Sequence, residues 1–161
     1  MTSMTSGDTR LALAGGASTT MTEEHSIIPI DNPEQSAWGI IGRSLGEYNR
    51  QQAGPDNAQR ICYVVQTPDG EIAGGVIAVT YWDWLYIDLM WLREDLRGRG
   101  YGSRLLALAE EAGRHHGATH AHLDTFSFQA PDFYARHGYH VFGELPDFPA
   151  GHRRYYLTKE L

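Results

Sequence analysis

The sequence predicts an α/β fold of the mixed α+β kind, a central twisted mixed sheet flanked by helices on both faces. Three observations predict it. Apolar runs of strand length alternate with helical apolar stripes in the order β-α-β-β-β-α-β-α-β-β. Pro68-Asp69-Gly70 joins two strand patterns as a hairpin turn. The glycine-rich stretch Arg97-Gly98-Arg99-Gly100-Tyr101-Gly102 stands where the apolar run Trp84 to Leu92 hands over to the helical pattern Ser103 to His116.

The elements follow in order. Met1 to about Glu24 is rich in Thr, Ser, Gly and Ala without durable periodicity, which predicts a disordered tail ahead of one domain over residues 25–161. His25 to Ile30 alternates as a first strand and is closed by Asp31-Asn32-Pro33. Pro33 then starts a helix to about Gln52, with Trp38, Ile41, Leu45 and Tyr48 on one face, and Gly54-Pro55-Asp56-Asn57 breaks it. Arg60 to Gln66 and Glu71 to Tyr81 are the hairpin strands, and Gly74-Gly75 inside the second marks a bulge or a close contact. Leu85 to Leu92 is the next strand. Leu105, Leu108, Ala109 and Ala112 make the stripe of the helix after the glycine turn, which Gly117 ends. Thr119 to Thr125 is a strand, Ala130 to His137 a short helix capped by Gly138, and Tyr139 to Glu144 and His152 to Thr158 are the last strands.

Composition removes several classes of function. A chain of 161 residues with 42% hydrophobic content buries an ordinary core. The net charge of −7 disfavours a nucleic-acid partner and suits a cationic acceptor, because an acidic surface attracts amines. No apolar run approaches the ~20 residues of a membrane helix. Leu11 to Ala17 is short and lacks a basic leader, so no membrane partner is expected and the cytoplasm is the expected location. Cys62 is the lone cysteine, so no internal disulfide forms, and its apolar strand context places it in the core. No metal is expected: His120 and His122 share a strand face, with no third ligand spaced nearby.

The glycine turn carries the chemistry. A helix start leaves several backbone N–H groups without partners, the helix dipole adds partial positive charge, and glycine lets a ligand approach the main chain. The expected guest is a phosphate or pyrophosphate. No lysine follows these glycines, which excludes a Walker A loop, and the spacing Gly-x-Gly-x-Gly is not the Gly-x-Gly-x-x-Gly of a dinucleotide fold.

Arg97, Gly100 and Gly102 form the pattern Arg-x-x-Gly-x-Gly, which resembles the acyl-CoA loop of the GNAT N-acetyltransferase superfamily. Ala130-Pro131-Asp132-Phe133-Tyr134-Ala135-Arg136-His137-Gly138-Tyr139 resembles the superfamily's second motif, Ala-x-x-Phe-Tyr-x-x-x-Gly-Phe/Tyr, and begins 28 residues after Gly102. The resemblance covers roughly residues 26–161. One departure is Ser127, where many relatives carry Asn three residues before the motif's alanine. Leu123-Asp124-Thr125 and Gly143-Glu144-Leu145-Pro146 also look like stretches of antibiotic-acetylating relatives.

The resemblance implies a GNAT-like acyl-CoA N-acyltransferase fold and an acetyl-CoA co-substrate. The strands on either side of the glycine loop would run parallel and splay. The pantetheine arm would lie against Met90, Trp91 and Leu92, and the pyrophosphate on the N–H groups of Gly98, Arg99, Gly100, Tyr101, Gly102 and Ser103, with Arg97 and Arg99 adding charge. A backbone N–H near Leu92 would hold the thioester oxygen, and Tyr134 matches the tyrosine that protonates the departing thiolate. An amine with a pKa of ~10.4 must first lose a proton, at a cost of ~4 kcal/mol near pH 7.4. Asp88 is the candidate base, on the strand face that alternation gives to Tyr86 and Met90; Asp83 and Asp124 are the alternatives. Trp82, Asp83, Trp84, Phe126 and Phe128 are the candidate acceptor-binding residues, by cation–π contact and charge. These residues point to acetylation of a small-molecule primary amine such as an antibiotic, toxin or polyamine. A protein or peptide N-acetyltransferase and a non-catalytic acyl-CoA-binding regulator are the alternatives. The resemblance also admits a homodimer.

Overall fold

The computed structural model describes residues 25–161, and the expected tail lies outside the described residues. The chain divides into a unit that ends at Ile41 and a unit from Gly42 to Leu161. In the first unit the expected strand His25–Ile30 does not form. Its residues take no regular structure, and Ile27, Ile28 and Ile30 face solvent. Alternation makes a strand only where a neighbouring strand completes the hydrogen bonds, and this segment belongs to no ladder. Pro33 opens a 3-10 turn, Pro33–Gln35, ahead of helix α1 (Ala37–Ala53), which buries no residue.

The second unit holds a sheet of six strands, one fewer than the sequence predicts: β1 (Gln59–Gln66), β2 (Ile72–Tyr81), β3 (Trp84–Leu92), β4 (His120–Phe126), β5 (His140–Pro146) and β6 (Arg153–Glu160). Their spatial order is β1-β2-β3-β4-β6-β5. The β3–β4 pair is parallel, and every other pair is antiparallel. Between β3 and β4 the chain crosses over through α2 (Tyr101–His115), and between β4 and β5 through α3 (Pro131–Arg136).

Alternation separates the two sheet faces, with its parity changing in β3 between Ile87 and Leu89. On one, Val76 and Ala78 of β2, Leu85 and Ile87 of β3, Ala121 and Leu123 of β4 and Leu157 of β6 pack with Leu105, Leu106 and Ala109 of α2. Each fully buried leucine contributes about 1.5–3 kcal/mol. Tyr134 of α3 enters the same core, and Phe133 packs against it. The contact is tight: a Cβ on Gly113 would stand 3.0 Å from Leu85. The other face turns Ile77, Leu89 and Trp91 to solvent. Cys62 also lies on that side. It is exposed, not in the core as its apolar context suggests, because Ile61 and Tyr63 take the inward positions on either side of it.

The helix ends obey local chemistry. Past the end of α2, Gly117 (φ 89°) donates to the Arg114 carbonyl at 2.9 Å and Ala118 to the Gly113 carbonyl at 2.9 Å, a Schellman closure. Gly74 and Gly75 serve as a close contact: Cβ atoms there would meet the Trp91 carbonyl at 2.8 Å and the Tyr63 carbonyl at 2.6 Å. A β1–β2 register shift lies beside them, at Val65/Gln66. Glu110, buried on α2, is compensated in full. It accepts from the Tyr139 hydroxyl at 3.1 Å and from Lys159 Nζ at 2.8 Å on each oxygen.

Candidate active site

The parallel strands part. Their ladder pairs only Trp84 to Ile87 with His120 to Leu123. β3 then continues to Leu92 bonded to β2 alone, and β4 continues to Phe126 bonded to β6 alone. From Asp88 and Asp124 onward a gap lies between them. The β2–β3 register slips at the same level: Ile77 faces Leu89 and Ala78 faces Ile87, which leaves Asp88 unpaired in a bulge. The bulge corrects the expectation that Tyr86, Asp88 and Met90 share a face. Met90 is packed against the core, whereas Tyr86 stacks on His122 on the opposite side. Asp88 itself is exposed and acts with Asp124 on the Tyr86 hydroxyl. Burial, followed by those two carboxylates, raises the Tyr86 pKa.

The glycine loop opens beside the gap. Gly98 and Gly100 take left-handed backbone angles (φ 72° and 82°), which glycine adopts without strain, and a Cβ on either would meet nothing within 4 Å. The first bond of α2 runs from the Arg104 N–H to the Gly100 carbonyl at 3.1 Å, so the N–H groups of Tyr101, Gly102 and Ser103 precede the helical ladder. A Cβ on Gly102 would lie 3.4 Å from the Phe133 ring and 3.6 Å from Leu92, which brings the helix start against the end of β3. Arg97 Nε donates to the Leu92 carbonyl at 3.1 Å and ties the loop to that strand end. Arg99 is exposed. His137 joins α3 to the first turn of α2. Its Nδ1 donates to the Phe133 carbonyl at 2.7 Å, so Nε2 accepts from the Ser103 hydroxyl at 2.9 Å.

Tyr134 is 8% exposed and meets Phe133 and Tyr139 edge-on. Burial, with the Asp124 charge adding to it, pushes its pKa up to about 12, so the hydroxyl keeps its proton at neutral pH. Asp124 faces Arg154, whose Nε donates to it at 2.7 Å. The Arg154 guanidinium lies 5.3, 5.6 and 5.7 Å from the rings of Phe126, Phe148 and Tyr156. Phe126 and Phe128 stack at 5.2 Å. Among the described residues Asp88 has no cation at ion-pair distance, which leaves it the carboxylate of the gap that is not already neutralised.

The remaining expected positions divide. Phe126 and Phe128 stand at the gap end of β4, and Trp84 faces the same side from the paired part of β3. Trp82 and Asp83 form the β2–β3 hairpin tip, at the end of β3 away from the glycine loop. Both have positive φ (42° and 65°), and they are occupied with main-chain contacts. Trp82 donates from its N–H to the Asp56 carbonyl at 3.0 Å and from Nε1 to the Gly54 carbonyl at 3.3 Å, and the Asp83 carbonyl accepts from the Thr119 N–H at 2.9 Å. Ser127, the departure from the second motif, accepts from the Arg153 N–H at 3.2 Å and fastens the β4–α3 turn to β6. Arg154 and His137 are not anticipated from the sequence, and Tyr86 is anticipated there only as a strand neighbour of Asp88; His137 carried a signal, its place inside the second motif. No group of three metal-ligating side chains occurs among the described residues.

A six-stranded mixed sheet whose one parallel pair parts beside an open helix start is a GNAT-like acyltransferase fold. The chain belongs to the acetyltransferase (GNAT) family, whose model matches residues 26–139, and is an acetyltransferase. It is 44% identical over 93 residues to the blasticidin-S acetyltransferase of Streptomyces morookaense, covering 57% of this chain and 68% of that one. It is 31% identical over 129 residues to an acetyltransferase of Agrobacterium fabrum, covering 80% and 94%. The crystal structure of an acetyltransferase from Bacillus cereus superposes with a TM-score of 0.74 at 33% identity, over 86% of this chain and 98% of that one.

Proposed function

We propose that the protein transfers an acetyl group from acetyl-CoA to a primary amine of a small, antibiotic-like molecule by direct attack. One observation carries this reading: the β3–β4 ladder ends at Ile87 and Leu123, beside a helix start whose N–H groups are open. The kinship with a blasticidin-S acetyltransferase supports the antibiotic class of acceptor. Acetyl-CoA supplies an activated thioester. The residues present fit it: Gly98 and Gly100 leave open space where side chains would stand, and β3 has a free edge from Asp88 toward Leu92.

The N–H groups from Gly98 to Ser103 bind the diphosphate, with Arg99 as the exposed cation and Arg97 holding the loop to Leu92. Met90, Trp91 and Leu92 offer the strand edge to the pantetheine amides. Asp88 takes the proton from the ammonium, which restores the amine's lone pair. That lone pair attacks the thioester carbon, a main-chain N–H near Leu92 steadies the oxygen, and the carbon–sulfur bond breaks. Tyr134 gives its proton to the departing sulfur, the attacking nitrogen loses its second proton to solvent as the amide forms, and the tyrosine takes a proton back from solvent. Arg154 and the rings of Phe126 and Phe128 hold the acceptor beside Asp124. Thiol release with acetyl-CoA over a panel of antibiotic amines, polyamines and peptides tests the reading. Release with antibiotic amines, reduced about 100-fold or more by Asp88→Asn, is expected. Release confined to peptides, or with none of the amines, contradicts it.

A further inference from the structure

The sheet face that carries Tyr86 and Asp124 continues, away from the gap, into a cleft of ≈ 370 Å³ lined by Tyr81, Trp84, His122, Phe142 and Thr158. None of the transfer steps uses this cleft. It is an open depression, with Phe142 64% exposed at one side, wide enough for one ring. Its walls are flat rings arranged by strand register. Trp84 stacks on His120 at 4.7 Å and 21°, and one rung further His122 stacks on Tyr86 at 4.7 Å and 18°. Tyr81 meets His122 edge-on at 6.3 Å, and Phe142 stands across from them on β5.

One polar atom of the cleft, Thr158 Oγ1, is an open acceptor. Thr158 Oγ1 spends its proton on the Ala121 carbonyl at 3.0 Å and keeps its lone pairs. The Tyr81 hydroxyl and His122 Nε2 satisfy each other at 3.1 Å. No carboxylate lines the cleft, and burial lowers the His122 pKa, so a cation finds no counter-charge there. Flat ring walls complement a planar ring by stacking, and Thr158 Oγ1 accepts from an N–H at its edge. His122 precedes Asp124 by two residues on one strand face, about 7 Å along β4. A ring in the cleft and an amine at the gap are therefore one short linker apart.

We propose that this cleft is the acceptor's ring subsite, which takes a planar, uncharged aromatic or heteroaromatic moiety while the linked amine meets Asp88 at the gap. The proposal rests on the amine-acetylating reading above, and its test separates the two. Benzamide and cyclohexanecarboxamide carry the same amide donor on a flat and a puckered ring. Titrated into the full chain without acetyl-CoA, benzamide is expected to saturate tryptophan fluorescence and shift the His122 imidazole signals. The puckered ring is expected to bind about tenfold more weakly. Trp84→Ala and the surface variant Phe142→Ala should each weaken benzamide. Benzamide that does not saturate, that binds no better than the puckered ring, or that ignores both substitutions overturns the proposal. In turnover, 4-phenylbutylamine is expected to exceed hexylamine in kcat/KM, and Trp84→Ala to shift that ratio about tenfold toward hexylamine. Transfer without ring preference removes the subsite and leaves the activity. Benzamide binding with no transfer to any amine removes the activity alone.

Discussion

Gly102 separates ligand binding from folding. A Cβ there would sit 3.4 and 3.5 Å from Phe133 ring atoms and 3.6 Å from Leu92 Cδ1, ordinary contact distances. Gly102→Ala is therefore expected to fold with stability equal to the parent or up to ~1 kcal/mol higher, from helix propensity. Gly102→Val adds two methyls that reach roughly 1.5 Å further. With Phe133 and Leu92 already in contact, they crowd the join between α2 and the end of β3 and displace the amides proposed to meet the diphosphate. If the ligand loses two charge-assisted bonds of about 1.5–3 kcal/mol each, the loss is about 3–6 kcal/mol, or roughly 10²- to 10⁴-fold in Kd. Calorimetry with acetyl-CoA reads the affinity, and thermal unfolding checks that both variants are native. A native Gly102→Val with the parent's Kd refutes the reasoning.

Tyr134 has two consequences. Tyr134→Phe is expected to lower turnover more than acetyl-CoA affinity, and equal losses of kcat and affinity would make the tyrosine structural. Its folded pKa of about 12 exceeds the ordinary 10.0, so the stability it contributes is present below pH 10 and lost as pH rises from 10 toward 12. About two units correspond to at most ~3 kcal/mol, so urea unfolding of Tyr134→Phe should show a shallower alkaline decline than the parent. Glu110→Ala leaves Lys159 and Tyr139 without their shared acceptor, and urea unfolding should show a loss of about 3 kcal/mol. Gly74→Ala sets a Cβ 2.8 Å from the Trp91 carbonyl, which cannot rotate away. The β2–β3 contact must shift, and an expected loss of about 1–3 kcal/mol is readable in the same assay.

Much of the site was legible because local signals and the fold agree. Gly98 and Gly100 mark a strand-to-helix turn by positive φ angles that few other residues adopt without strain, and alternation along β3 and β4 separated core from open face up to Ile87. Legibility stopped where geometry depends on partners distant in the chain. The Asp88 bulge comes from a register slip against β2, which alternation along β3 alone does not encode. Arg154 joins the site because β6 lies next to β4, so that Asp124 gains a partner 30 residues away. The segment His25–Ile30 carries a strand pattern without a neighbour to pair with. Cys62 has an apolar context on both sides, yet its parity in β1 points it away from α2.

The central claim is that main-chain amides at the start of α2 grip the diphosphate of coenzyme A between the parted strands. Backbone amide NMR of the full chain, titrated with coenzyme A, addresses that claim most directly. The account predicts its largest shifts at Gly98 to Ser103 and at Met90 to Leu92. Amides there that stay still while coenzyme A binds and moves signals elsewhere would contradict it.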